Sequence, residues 1–509
     1  MKITLISVSV TPSDQGIRTM SSLLKKHNHK VQLIFLPYTE NYKKLYKKSV
    51  LKQLLKKCRD SKIIGVSAYA STAPRAEQII KYLKRLEIPI VYGGIHATIS
   101  PKECIKHCNL VCVGEGEDAF LELVEKLEKK EDISNVKNFW IRYKDVIFKN
   151  PPRPLRENLD ELPFADYDIE NHYILEGGQI IRFQQRHLGG YIFFLTGRGC
   201  PYGCSYCSNN YLNQMYKNLG RTLRWHSPSY IIENILYLRK RYSSLKVFDI
   251  RDDTFSLRPI NQIEEFCKLY KEKVKIRFKC LADPKTVTEE KIRLLNDAGC
   301  TDIIIGIQGS ERVNKEIYLR NQSDEDVKRA ASILHKFPKI AVMYDVITCN
   351  PYETNQDILN LINLIRELPS PFYLSVNNLV FFTGTYLYQK AKTDGVIKKE
   401  KDSASTLNYW DRFKHIKLKK KNEYLVLILN LMRGTVTRRR IGLIPRFILK
   451  RLLTEKRIKF HSKFKLLTYL IGYLVQLFDL IREHILKPIY RNLLPVHVKV
   501  WYDKIRYRA

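Results

Sequence analysis

Acid is what this sequence is short of: 52 Asp and Glu stand against 88 Lys and Arg over 509 residues, a formal net charge of +36. Such a surplus suits a polyanionic partner, either nucleic acid or an anionic membrane surface. It is also concentrated, because 26 Lys and Arg but only 7 Asp and Glu lie between Lys401 and Ala509, more than half of the excess. A long apolar run is missing as well. Leu368–Gln389 is uncharged but is interrupted by Pro369, Pro371, Asn377, Asn378 and Gly384, and Leu466–Phe478 has 13 residues, against the roughly 20 that a spanning helix needs. The opening MKITLISVSV carries neither a basic n-region nor a small-residue cleavage site and reads as a strand. There is no long low-complexity tract. The eleven cysteines of so long a chain do not form a disulfide framework, which places it in a reducing cytoplasm. The basic end adds the alternative of a peripheral position on the inner face of the membrane.

What is present is alternation. Apolar runs at Ile3–Val8, Val31–Leu36, Ile63–Ala68, Ile88–Tyr92 and Leu110–Val113 are separated by stretches of helical length. After the last of them Phe120, Leu123, Val124 and Leu127 recur at helical spacing. Short buried strands alternating with helices predict an α/β fold with a Rossmann-like, doubly wound parallel sheet over residues 1–134. Residues 135–186 read as a connector, with a hairpin over Val136–Phe148 and then Pro151, Pro152, Pro154 and Pro163. A second alternation runs through Tyr191–Thr196, Val247–Ile250, Ile276–Cys280, Asp302–Ile307, Ala341–Thr348 and Tyr373–Leu379. It predicts a (β/α) barrel, complete or partial (TIM-like), over residues 187–395. Residues 396–509 are basic, rich in Leu, Ile and Tyr, and show no obvious strands, so they read as a helical segment.

The sharpest motif is Thr196-Gly-Arg-Gly-Cys200-Pro-Tyr-Gly-Cys204-Ser-Tyr-Cys207, directly after an apolar strand. A C-x3-C-x2-C loop lets three thiolates converge on a [4Fe–4S] cluster and leaves its fourth iron without a protein ligand. The competing explanations are a zinc knuckle or three packed free cysteines. Zinc wants four ligands, and the nearest imidazoles, His187 and His226, lie 13 residues before the triplet and 19 after it. Cys104, Cys108 and Cys112, spaced by four, form a second cysteine group to weigh as an extra cluster. Cys267, Cys280, Cys300 and Cys349 stand apart and read as packing residues.

Phe248-Asp-Ile-Arg-Asp252-Asp253-Thr-Phe255 ends the next strand, with a solvated acidic loop as its alternative explanation. Gly306-Ile-Gln308-Gly-Ser310 and Asp345-Val-Ile-Thr-Cys349-Asn-Pro351-Tyr-Glu353-Thr354 end later ones. Thr354 or Asn355 is placed to cap the following helix. Upstream, Gly93-Gly94-Ile-His96-Ala-Thr98 and Gly114-Glu115-Gly116-Glu117 follow strands four and five. Paired glycines at carboxyl ends of strands permit close approach of a flat or phosphorylated ligand.

These residues resemble those of the cobalamin-dependent radical SAM (S-adenosylmethionine) enzymes, over roughly residues 1–395. CxxxCxΦC with Tyr206 as its aromatic is that superfamily's hallmark, and GGxHAT, GEGE and the Leu159-Asp-Glu-Leu-Pro163 linker occur in the same order. The resemblance implies that Cys200, Cys204 and Cys207 hold the cluster and that SAM chelates its open iron. Reductive cleavage then yields a 5′-deoxyadenosyl radical that abstracts a hydrogen atom from substrate. It implies SAM contacts from Tyr206, Asp252, Asp253, Gly306, Gln308 and Ser310, although Gln308 replaces the usual acid. It implies cobalamin contacts from Ser67, Tyr69, Gly93, Gly94, His96, Gly114, Glu115 and Gly116. The loop Val10-Thr-Pro-Ser-Asp14-Gln-Gly16 lacks the histidine of the D-x-H-x-x-G pattern, so the cobalt is expected to have no histidine lower ligand. His96 reads equally as an oriented polar residue at a strand end.

The activity this implies is methyl transfer to an unactivated carbon of a hydrophobic or lipid-linked substrate, with flavodoxin or ferredoxin as electron donor. Alternatives are radical ring formation or rearrangement on the same cofactors and a tRNA methylthiotransferase-like enzyme. Those methylthiotransferases carry N-terminal cysteines that begin just after the first strand, where this chain has none. A non-enzymatic cobalamin-binding sensor is the remaining class, and the intact cysteine triplet argues against it. In the tail, Arg438, Arg439, Arg440, Arg446, Lys450 and Arg451 alternate with bulky apolar residues, and Trp501, Tyr502 and Tyr507 follow. Membrane contact and helices packed on the barrel are the two readings; nucleic acid is not expected, since no aromatic stacking module is present.

Overall fold

A computed structural model describes residues 1–9, 11–37, 45–398 and 420–463, together with Leu470, Leu474, Leu477 and Ile481. Val10, the rest of Leu466–Phe478, and Trp501, Tyr502 and Tyr507 lie outside the described residues. The chain divides into two units, Met1–Lys279 with Phe381–Leu407 and Cys280–Val380 with Asn408–Ala509.

The first unit opens with β1 (Lys2–Val8), β2 (Lys30–Phe35), β3 (Ile63–Ala68), β4 (Ile90–Gly93) and β5 (Leu110–Cys112). All five were legible as apolar runs. They pair in parallel in the order β5-β4-β3-β1-β2, so the sheet is wound to one side from β1 to β2 and to the other from β3 onward. The predicted helix forms over Glu117–Lys129 and buries Phe120, Leu123 and Val124. The connector extends both edges of this sheet. β6 (Phe139–Tyr143) and β7 (Val146–Lys149) form the expected hairpin on β5, whereas β8 (His172–Glu176) and β9 (Gln179–Arg182) add an unexpected one beside β2.

Arg18 fastens the connector to the sheet. Wholly buried, its guanidinium lies 4.4 Å from the Phe35 ring centroid and 4.2 Å from that of Tyr167, and Nη1 donates to the Asp166 carbonyl at 2.6 Å. A lone cation among apolar runs gives no sequence signal of such a role.

Next in the chain come β10 (Tyr191–Phe194), the ribbon strands β11 (Gly197–Arg198) and β12 (Arg224–Trp225), β13 (Val247–Ile250) and β14 (Arg277–Ala282), of which the first unit takes all but the last three residues. β10, β13 and β14 are parallel neighbours. One face, with Ile192, Phe194, Phe248, Ile250 and Phe278, is buried, each side chain contributing about 1.5–3 kcal/mol by leaving water. The opposite face carries Tyr191, Phe193, Asp249, Arg251 and Lys279.

In the second unit β15 (Cys300–Gln308), β16 (Ala341–Thr348) and β17 (Phe372–Asn378) run parallel, with the helices Asp324–His335 and Asn355–Glu367 between them. Thr354 is the cap of the latter: its hydroxyl accepts from the Asp357 amide, and the Asp357 carboxylate accepts from Thr354 in return. The basic segment is helical over Lys420–Leu431, Arg446–Leu452 and Glu455–Lys463. It also holds three strands not foreseen, β18 (Gly434–Val436), β19 (Arg440–Ile441) and β20 (Ile444–Pro445), the first antiparallel to β17. Strands of two or three residues are too short to show a period. Cys267, Cys280, Cys300 and Cys349 are buried, as packing cysteines are.

Candidate active site

Doubly wound sheets bind ligands beyond the carboxyl ends of their strands, where the winding reverses. Here that point is at β1 and β3, and a cavity of about 380 Å³ opens there. Its walls include the turns Asp14–Ile17, Ser67–Tyr69, Gly93–Ile95 and Gly114–Glu117. The expected contacts Ser67, Tyr69, Gly93, Gly94, Gly114, Glu115 and Gly116 therefore all meet in one place. Two of the glycines are required. Gly94 has φ +88°, and a Cβ on it would fall 2.8 Å from Ser67 Oγ; Gly114 has φ +88°, and its Cβ would fall 2.0 Å from the Tyr216 hydroxyl. His96 is not among the lining residues. It is buried in the helix Ile95–Ile99 beside the Tyr92 ring, and burial lowers its pKa to about 4.

The cysteine loop leaves β10 in the same unit. Asp252, at the end of β13, holds its entrance: the buried carboxylate accepts from the Thr196 amide at 2.6 Å, the Thr196 hydroxyl and the Gly197 amide at 3.1 Å. Arg258 donates to the Thr196 carbonyl at 2.6 Å. Asp252 is thus buried rather than solvated, and both of its oxygens accept from the strand end that leads into the loop. Cys200 and Cys204 are buried and Cys207 is half-buried. The helix Ser208–Met215 starts immediately after Cys207 and ties the loop back, with Asn213 Nδ2 donating to the Cys200 carbonyl at 2.9 Å and Asn210 Nδ2 to that of Gly203 at 3.0 Å. Burial pushes the thiols of Cys200 and Cys207 up to about 12, so they are neutral unless bound iron takes their charge.

Among the described residues no three His, Cys, Asp or Glu groups gather as a single metal ion requires; a cubane differs in taking each thiolate on a separate iron. Cys104, Cys108 and Cys112 are all buried, and the Cys108 thiol faces the carbonyls of Cys104 and Leu110 at 3.7 and 3.2 Å.

A second cavity, of about 370 Å³, is lined by Gly199, Asn209, Asn213, Tyr216, Arg251 and Asp253. It shares Gly94, Gly114, Glu115, Leu195, Gly197 and Arg198 with the first. The shared wall is an ion-pair network. Arg198 Nη1 lies 2.8 Å from Glu115 Oε2, and Nη2 lies 2.6 Å from Glu117 Oε1. Arg224, opposite Arg198 in the β11–β12 ribbon, also pairs with Glu115. The Tyr216 hydroxyl accepts the Glu115 amide at 2.8 Å. Burial pushes the Glu117 carboxyl upward, yet the Arg198 guanidinium prevails and holds it below the usual range. Arg198 stood unremarked inside the cysteine motif, and only the fold brings Arg224 and Tyr216 to it.

In the second unit Gln308 ends β15 at φ +65°, and a Cβ on Gly306 would fall 2.3 Å from Gln308 Nε2. The buried Ser310 hydroxyl is committed to Asp357 at 3.3 Å, which Arg312 also clasps.

Comparison with known proteins agrees with this geometry. Residues 1–124 match the B12 binding domain, and residues 194–365 match the radical SAM superfamily. The chain belongs to the cobalamin-dependent radical SAM enzymes. Two relatives are an uncharacterized methyltransferase, PH0819, of Pyrococcus horikoshii, 26% identical over 66% of this chain and 71% of the relative, and the bacteriochlorophyllide d C-8(2)-methyltransferase of Chlorobaculum tepidum, 22% identical over 70% and 73%. The methyltransferase TsrM of Kitasatospora setae, solved with tryptophan and a SAM analog, shares the fold with a TM-score of 0.62 at 16% identity, covering 78% of this chain and 77% of its own. As a cobalamin-dependent radical SAM enzyme the chain works with a [4Fe–4S] cluster, SAM and cobalamin. The residues present suit those groups: three thiols on one loop, two buried and one half-buried, and turns at the winding reversal where added Cβ atoms would collide.

Proposed function

We propose that this enzyme transfers a methyl group to an unactivated carbon of a small, largely hydrophobic molecule. The observation that carries the reading is the shared wall: the cavity for a corrinoid and the cavity beside the cysteine loop adjoin through Gly94, Gly114, Glu115 and Arg198. In this reading Cys200, Cys204 and Cys207 hold the cluster, and Tyr206 and Asp253 are the SAM-facing residues of the first unit. The turns at Ser67–Tyr69, Gly93–Gly94 and Gly114–Gly116 hold the corrinoid. Gly306 and Gln308 remain SAM candidates on their motif alone. The cofactors supply hydrogen-atom abstraction and the methyl group; the protein encloses, orients and excludes water. Asp14, in the loop where a lower ligand would stand, accepts from the Ser7 hydroxyl at 2.7 Å, and no histidine lies there, consistent with cobalt lacking a histidine ligand. Ring formation on the same cofactors is the alternative chemistry.

The test is comparative. Cells with and without the chain, fed methionine labelled in its methyl group, should differ in a small molecule that carries the label. A product with a new ring and no label would replace methyl transfer by cyclisation. Replacement of Cys200, Cys204 or Cys207 by Ala should each abolish the cluster, about one cubane per chain; retention in all three would remove the assignment.

Delivery of the substrate from a membrane surface is supported by one feature of the basic segment. Phe447 is 71% exposed, and Leu443 and Phe460 are also exposed, among Arg439, Arg440, Lys450, Arg451, Lys456 and Lys459. Apolar side chains beside cations suit an anionic bilayer interface. Among the described residues no helix is long and apolar enough to cross a membrane.

A further inference from the structure

We infer that Arg251 anchors a carboxylate of the substrate in the cavity beside the cysteine loop. The inference rests on the function proposed above and deepens it by naming a chemical class. β13 ends at Ile250, and strand alternation puts Asp249 and Arg251 on the face opposite the buried Phe248 and Ile250. Phe193 of β10 is in register with Asp249, so the two share that face. Asp249 is wholly buried. It accepts from the Tyr191 hydroxyl and, at 2.7 Å, from Arg251 Nη2. The guanidinium also lies over the Phe193 ring, 5.1 Å from its centroid. One edge is therefore pinned by an acid and one face by an aromatic ring.

The other edge is open. Nε and Nη1 of Arg251 have no partner among the described residues, and the side chain is 38% exposed, in the wall of the 370 Å³ cavity with Gly199, Asn209 and Asp253. A surface ion pair in water would leave both members solvated; here the acid is enclosed and only the guanidinium fork reaches the cavity. Lys279, in register with Asp249 on β14, adds a second cation to the same face. A planar fork held in place is the geometry that recognises carboxylate. Arg198, which also lines this cavity, is spent on Glu115 and Glu117.

The experiment uses the full chain, anaerobically reconstituted and loaded with SAM, and measures calorimetrically its affinity for indole-3-propionate against indole-3-propionamide and for benzoate against benzamide. Iron, sulfide and corrinoid are counted in the same samples. The expected result is an acid preference of about tenfold or more, largely lost in Arg251→Gln and partly kept in Arg251→Lys, with SAM affinity unchanged. Equal binding of acid and amide by the wild-type chain, or a full acid preference in Arg251→Gln, overturns the inference. So does a fall in SAM affinity with the acid preference intact, because the anion would then be the cofactor's. These outcomes count against the anchor alone when the cofactors are in place; samples that take up neither cluster nor corrinoid count against the function beneath it.

Discussion

Arg198 Nη2, in the wall that the two cavities share, stands 2.6 Å from Oε1 of Glu117, which lines the first cavity. Arg198 is two residues before the first cysteine of the loop, and Glu117 opens the helix Glu117–Lys129 and lines the first cavity. A single ion pair thus joins the cysteine loop to a helix that lines the first cavity. Glu115 reinforces it by pairing with both Arg198 and Arg224.

Because both partners of this pair are largely enclosed, their substitutions should not be additive. Arg198→Ala and Glu117→Ala should each lower the Tm, and the double variant should lose less than the sum, with a coupling of about 0.5–3 kcal/mol. Thermal unfolding of the four proteins under anaerobic conditions measures it, and strict additivity would show the contact contributes nothing.

Gly114 is predicted to tolerate no side chain. The Cβ of Gly114→Ala meets the Tyr216 hydroxyl at 2.0 Å, whereas the Cβ of Gly177→Ala meets nothing within 4 Å although Gly177 also has positive φ. Gly114→Ala should lose most of its corrinoid, read from the visible absorption of the purified protein, while Gly177→Ala keeps it. Equal corrinoid content in the two variants would contradict the fit described for this turn.

How much of this could be read in the chain follows from how local each feature is. All five strands of the first parallel sheet were visible because each is a short run buried on both faces, and the cysteine loop because its spacing is fixed within eight residues. The glycine turns converge as expected, since strand order puts the carboxyl ends side by side. The wall between the cavities was not legible: Glu115 and Arg224 lie 109 residues apart, and nothing in either neighbourhood marks a partner. The motif left His96 open between a cobalamin contact and an oriented polar residue at a strand end. A motif places a residue in sequence, but the helix Ile95–Ile99 turns this ring toward Tyr92. β18–β20 escaped because they are too short to carry a period.

A pH dependence is expected from Glu353. Burial, with Asp357 adding to it, raises its carboxyl from 4.5 to about 8, so the folded chain keeps it protonated where the unfolded chain is ionised. The folded state binds the extra proton, and stability from this group is therefore full below about pH 4.5 and lost as pH rises toward 8. Glu353→Gln removes the titration. Its Tm should match the wild type near pH 5 and exceed it near pH 8.5; a constant difference across that range would refute the assignment.

The exposed apolar residues of the basic segment predict salt-sensitive binding to anionic vesicles. Wild-type protein should sediment with phosphatidylserine-containing vesicles at low salt, less at high salt, and Phe447→Ser with Leu443→Ser should weaken this severalfold. Sedimentation unaffected by the double substitution would leave charge alone as the cause.

The central claim is methyl transfer by a cluster and a corrinoid held in adjoining cavities. The most direct measurement incubates the anaerobically reconstituted chain with SAM labelled with ¹³C in its methyl group, a reductant, and a metabolite extract from cells lacking the chain. The account predicts a small molecule that gains the labelled methyl on carbon, together with 5′-deoxyadenosine, only when both cluster and corrinoid are present. Label reaching no product with both cofactors loaded, or reaching it equally well without corrinoid, would contradict it.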